Sequence, residues 1–241
     1  MGNNYSTPAS ELVNTSGGLD SLQAGIDGNY QLAIGDVISE AWQKTKGIKR
    51  YVLGAGILLY VALFAVLMVV GALVGLGGEE SGAAPLIGVI VQLIFMAAML
   101  PFMAGIFVMC LKHIQGHSVS FGDLFSCLGK TGKLLVTFIL MYIMLAIGFI
   151  LFIIPGIYLS FAYLLAVPLV IDRDLGPWEA LEASRKAITK NWFSVFAFYI
   201  LLTIIMTVSM IPLGIGLIWT MPMMAVAFAI LYRQVFGIQS Y

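Results

Sequence analysis

PWEALEASRKAITKNWFSVFAFYILLTIIMTVSMI, residues 177–211, is the stretch whose reading decides the fold. Its first half is amphipathic. Pro177 fits a first helical position, Glu179 falls in the first turn, and Trp178, Leu181 and Ile188 share one helical face. Its second half, Trp192–Ile211, has no charged side chain and is long enough to cross a hydrocarbon layer of about 30 Å. Such a run is helical, because an open strand would leave unpaired backbone groups in lipid.

The same unit occurs twice upstream. Ile34, Val37, Ile38, Ala41 and Trp42 lie at helical spacing, opposite Asp36, Glu40 and Lys44, and precede an apolar run over Tyr51–Leu76. Phe121, Leu124, Phe125 and Leu128 repeat the pattern before Leu134–Ile154, with Ser120 and Asp123 spaced for a capping box. Three further apolar runs return: Pro85–Leu111, Ile157–Ile171 and Leu213–Tyr232. The fourth span is short and contains Pro168. The tight turns expected at Pro155-Gly156 and Pro212–Gly216 join neighbours as antiparallel pairs. The expected fold class is therefore all-α and polytopic. It has six transmembrane helices arranged as three hairpins, each introduced by a cytoplasmic amphipathic helix. The pseudo-repeats cover about 31–115, 117–175 and 176–237, within one membrane domain spanning 31–241.

Composition agrees. Of 241 residues 61% are hydrophobic and 10% charged, and the mean hydropathy is +1.01, outside the usual range of soluble domains. Residues 1–30, rich in Gly, Ser, Asn and Thr, are expected to form a flexible cytoplasmic tail. They lack the basic start and apolar core of a secretory signal. Charge placement supplies orientation. All 12 Lys and Arg fall on one side of the span map, from Lys44 to Arg233, while Glu79 and Glu80 occupy the opposite loop 77–82. The positive-inside rule then expects both termini in the cytoplasm. A net charge of zero gives no electrostatic case for nucleic acid. The expected partners are membrane lipids, with a second copy of the chain or another membrane protein as the macromolecular candidates.

Chemistry is scarce. The spans contain no acidic, basic or histidine side chain in their cores, which argues against a proton relay. Gln92 is the costliest polar group to leave unpaired in lipid and is expected to face a helix or partner. Pro101, Pro168 and Pro222 each fall in a returning span, where proline bends or loosens a helix. They serve either as packing bends or as hinges around a binding site. Cys110, His113 and His117 could share a metal, but Gly116 interrupts the helix and no fourth ligand is apparent, so no metal site or cofactor is assigned. Asp172, Arg173 and Asp174, with Glu179, Glu182 and Arg185, are expected to form one ion-pair cluster at the cytoplasmic surface. Asp36, Asp123 and Glu179 read as first-turn carboxylates that favour the helix dipole, matched by Lys44, Lys130 and Lys190 late in their segments. The three surface segments serve either as elbows steering the chain into the next span, as lipid-facing anchors, or as a partner groove.

The stretch Ile153-Ile154-Pro155-Gly156-Ile157-Tyr158 through Pro168, Asp172 and Gly176-Pro177-Trp178-Glu179-Ala180-Leu181 to Trp192 resembles bacterial integral-membrane proteins related to the membrane domain of glycerophosphoryl diester phosphodiesterases. Tyr232-Arg233-Gln234-Val235-Phe236-Gly237 is similar to their ends. The resemblance implies the membrane fold and no hydrolase activity, since the catalytic domain fused to some relatives is not in this sequence. The expected function is a non-enzymatic scaffold or partner subunit of a membrane assembly. The alternative is a transporter or permease component for a lipid-like or weakly polar substrate.

Overall fold

In the computed structural model, residues 19–76 and 84–239 are described, and all regular structure among them is helical. Six segments are long and apolar enough to cross a membrane: Ile34–Ala72, Gly88–Ile114, Phe121–Leu151, Ile153–Arg173, Trp192–Met210 and Leu217–Phe236. The loop carrying Glu79 and Glu80 and most of the expected tail lie outside the described residues.

Part of that tail is ordered structure. Helix α1, Leu19–Ile26, packs on the end of the chain, with Leu22 and Ile26 turned to the core. Gly25 permits this, since a Cβ there would overlap the Val235 carbonyl and the Phe236 ring. Tyr30 follows and donates its hydroxyl to the Ala187 carbonyl (3.1 Å). Composition pointed to flexibility, but a few apolar residues at helical spacing suffice when they meet a preformed surface.

Helix α2, Ile34–Leu76, is two limbs joined at Lys46 (φ −65°, ψ 127°) and Gly47 (φ 98°, ψ −37°). A left-handed residue at a bend is the natural place for glycine. The first limb is the expected amphipathic segment. Val37, Ala41 and Ile48 are fully buried, whereas Trp42 is 53% exposed. Helix α3, Ala84–Ile114, returns with Pro101 inside it. It ends in a Schellman turn, where Gly116 (φ 84°) and His117 donate to the His113 and Lys112 carbonyls.

The second surface segment differs from expectation. It folds as two 3₁₀ turns, Phe121–Phe125 and Leu128–Lys130, instead of an α-helix. Gly122 and Gly129 are poor helix formers, and of the expected apolar face only Leu124 is buried. Leu124 sits against Gly105 of α3 so closely that a Cβ there would overlap its backbone. The exposed rings of Phe121 and Phe125 meet Tyr51 and Phe102, centroids 5.2 and 5.5 Å apart.

Helix α4, Thr131–Leu151, stops three residues earlier than expected, at an extended Phe152 (φ −163°, ψ 155°). Pro155 therefore belongs to the first turn of α5, Ile153–Ala162, where a missing N–H costs nothing. Helix α6, Ala166–Arg173, continues the span. The interruption expected at Pro168 lies at 163–165, because the proline ring excludes the carbonyl of residue 164 one turn earlier. Helices α7, Pro177–Lys190, and α8, Trp192–Met210, match the quoted stretch closely. Helix α9, Leu217–Phe236, begins four residues later than expected. Leu213 (φ 52°) and Gly214 (φ 77°) are left-handed, so no helix runs through them.

α2 packs on α9 and α3, α4 on α5, and α8 on α9. Burial is concentrated toward the charged end of each element. α2 is buried as far as Ala55 and α3 from Ala104 to Ile114, while Ile57 to Val69 and Leu86 to Ile94 carry many exposed apolar side chains. Ile147 to Ile154 and Ile204 to Leu213 are likewise largely exposed and apolar. The helices thus share one core at the charged end and leave apolar limbs uncovered at the other.

Candidate functional site

The charged end is where side chains from distant elements converge. Asp36 is exposed in the first turn of α2. One turn on, Glu40 accepts two hydrogen bonds from the Arg233 guanidinium at the end of α9 (2.6 and 3.0 Å), a bidentate geometry that fixes orientation as well as charge. Asp123 accepts from the Ser120 N–H (2.8 Å) and hydroxyl (3.3 Å), which is the expected capping box mounted on a 3₁₀ turn. Lys112 closes on its other oxygen (2.5 Å). Glu179 accepts from the Gly176 N–H (3.2 Å) in the first turn of α7.

Cations cap neighbouring helices. Lys44 donates to the Ile114 carbonyl at the end of α3 (2.9 Å), and Lys130 to the Ile171 carbonyl near the end of α6 (2.8 Å). Arg173 donates to the Phe236 carbonyl at the end of α9 (2.6 Å). Lys44 and Lys130 serve these ends rather than the dipoles of their own segments. Those segments run directly into the next helix, so the terminal carbonyls that lack partners belong to the returning helices instead. His113 locks the α2 bend from the same side: its Nε2–H donates to the Lys44 carbonyl (2.7 Å).

The single cluster expected around Asp172 separates into three arrangements. Asp172 and Arg173 turn inward, their side chains 0% and 3% exposed, and pair at 3.4 Å. Asp172 also accepts from the Tyr232 hydroxyl (2.8 Å) and the Gln239 N–H (3.4 Å), while Arg173 donates to the Ser21 hydroxyl (2.8 Å). Asp174 turns outward in a left-handed conformation (φ 54°) and meets Lys133 (2.9 Å) and Lys130 (3.4 Å). The Lys133 hydrogen bond, then the Lys130 charge, hold its carboxyl below the ordinary value. On α7, Glu182 takes both Nε and an outer nitrogen of Arg185 (2.9 and 2.8 Å). These arrangements diverge because Asp172 lies on the buried face of α6 whereas Asp174 lies beyond its end.

The Arg185 hydrogen bonds lower the Glu182 pKa from 4.5 and raise that of Arg185. A carboxylate with a depressed folded pKa contributes stability above its unfolded value and loses it as the pH falls through the folded value. Acidification below about pH 4 is therefore expected to weaken α7 slightly. The measurement is the thermal midpoint against pH, and Glu182→Gln should flatten the curve by a few tenths of a kcal/mol at most. An unchanged slope in that variant would dismiss the pair as a contributor.

The other candidates do not converge with this rim. Gln92 is half-buried in α3, and Pro101, Pro168 and Pro222 are buried in α3, α6 and α9. The Ser160 and Thr220 hydroxyls donate to carbonyls of their own helices, at Gly156 (2.8 Å) and Gly216 (3.2 Å). Cys110 and Cys127 are buried free thiols. Among the described residues no three His, Cys, Asp or Glu side chains gather where they could hold a metal.

Ser184 was not singled out from the sequence. Its hydroxyl on α7 donates to the Ala162 carbonyl (2.7 Å) and accepts from the Leu165 N–H (3.1 Å), serving two of the backbone groups freed where α5 gives way to α6. The only available signal was a serine among alanines on the buried face of an amphipathic helix. No family model, curated protein or solved structure matches this chain.

Proposed function

We propose that the protein is a non-enzymatic scaffold or partner subunit of a bacterial inner-membrane assembly. In this reading the six spans form three hairpins, the first limb of α2, the 3₁₀ segment before α4 and helix α7 before α8 are cytoplasmic elbows, and both termini face the cytoplasm. The resemblance to the membrane domain of glycerophosphoryl diester phosphodiesterases fits such a module. The observation that carries the proposal is the distribution of apolar surface. A tight core at the charged end holds limbs whose apolar faces have no partner among the described residues, and packing against other membrane helices would cover them. The span hydroxyls support it, because Ser160 and Thr220 bond to their own helices instead of lining a shared route.

A carrier component for a lipid-like substrate is the second reading, favoured by an apolar groove beside α8 and α9. Native mass spectrometry after extraction in mild detergent separates the two. The scaffold predicts a dimer or larger assembly, or a co-purifying membrane protein. A monomer with no retained protein would overturn it.

A further inference from the structure

The first limb of α2 has a second face that the core covers only in part: Ile38 packs against the core, while Gly35, Ser39, Trp42 and Gln43 are exposed. Val37, Ala41 and Thr45 point inward and are buried. Gly35, Ile38, Ser39, Trp42 and Gln43 lie on another side of the limb. With Ile205 of α8 and Met223 of α9 they line an open groove of about 440 Å³, within the usual range of ligand pockets, about 300–1,000 Å³. One wall continues toward cationic charge. Trp219 precedes Met223 by one turn of α9, and the Lys49 ammonium stands 3.9 Å from its ring centroid. Lys46 follows Trp42 by four residues, which places it at the bend end of the groove stripe. Among the described residues neither lysine has a carboxylate within ion-pair distance, unlike Lys44, Lys112, Lys130 and Lys133.

The geometry points to a specific anionic phospholipid site. An acyl chain occupies the groove against Ile38, Trp42, Ile205 and Met223, and the headgroup phosphate meets Lys46 and Lys49. The charge pattern selects this occupant. A wholly apolar helix would leave both ammonium groups without an anionic counterpart. A phospholipid places its apolar and anionic parts where the groove is apolar and cationic. This inference is independent of the scaffold reading, because a specific lipid can bind a monomer or an assembly.

The test uses delipidated full-length protein titrated with phosphatidylglycerol or phosphatidylcholine of matched acyl chains, followed by native mass spectrometry. Phosphatidylglycerol should be retained preferentially. Lys46→Gln together with Lys49→Gln should weaken its retention roughly thirtyfold while changing phosphatidylcholine little. Gly35→Leu provides a steric test, since a Cβ at Gly35 meets nothing within 4 Å and points into free space. That variant should keep the native thermal midpoint yet reduce phosphatidylglycerol retention. Equal retention of the two lipids, a preference that survives the double substitution, or full retention by Gly35→Leu would each overturn the proposal. If the double variant unfolds, Gly35→Leu decides.

Discussion

Replacing Asp172 with alanine is expected to destabilise the folded protein by about 3–5 kcal/mol, the range for breaking a buried ion pair by removing one partner. The reason is the company Asp172 keeps. Its carboxylate pairs with the Arg173 guanidinium and accepts from Tyr232 and Gln239. Alanine would leave a guanidinium that is 3% exposed without that counter-charge, and would remove the acceptor for a buried phenol. Asp172→Asn keeps an acceptor for Tyr232 but loses the charge, so it should fall between wild type and alanine. Chemical unfolding in detergent, followed by tryptophan fluorescence, reads the difference. A loss below about 1 kcal/mol for the alanine variant would mean that the network is not what holds α6 to α9.

Ser184→Ala should cost about 2–4 kcal/mol, more than a surface hydroxyl deletion by a wide margin. One hydroxyl serves as donor to Ala162 and acceptor for Leu165. Its removal leaves two backbone groups unpaired in an apolar interior, each costing about 1–3 kcal/mol. Thr203→Ala is the matched control. The Thr203 hydroxyl bonds only to the Tyr199 carbonyl of its own helix and is exposed, so it should change stability by less than about 0.5 kcal/mol. Hydrogen exchange at Leu165 would localise the effect. Unchanged protection there in Ser184→Ala would show that the break does not depend on α7.

The break also illustrates which parts of the structure were legible in the sequence. Spans such as Trp192–Met210 were readable because lipid imposes a composition on twenty consecutive residues, and no local detail can hide it. The exit of Gly116 from α3 and the capping role of Asp123 were readable because they depend on residues within one turn. Positions set by contacts between elements were not. Pro168 announced a disruption but not its displacement to 163–165, where the Ser184 hydroxyl is available. Asp172 and Asp174 look equivalent in sequence, yet the end of α6 falls between them and sends one inward and the other outward. The second surface segment looked helical by the spacing of Phe121, Leu124, Phe125 and Leu128. Its glycines and the close seat of Leu124 on Gly105 favoured shorter 3₁₀ turns.

The helix-end clamps have a consequence for how the chain is assembled during synthesis. Lys44 and the α2 bend are held by Ile114 and His113, so the first bend acquires its lock only after the first pair of spans has been made. Lys130 then waits for Ile171, and Arg173 for Phe236, each bond joining a residue already synthesised to the end of the next returning helix. The clamps can therefore close only in chain order. Helix α1 stands at the extreme of this schedule. It precedes all of these clamps in the chain, but Ser21 needs Arg173 and Gly25 packs on Val235 and Phe236. A helix made ahead of all six spans is among the last to find its place.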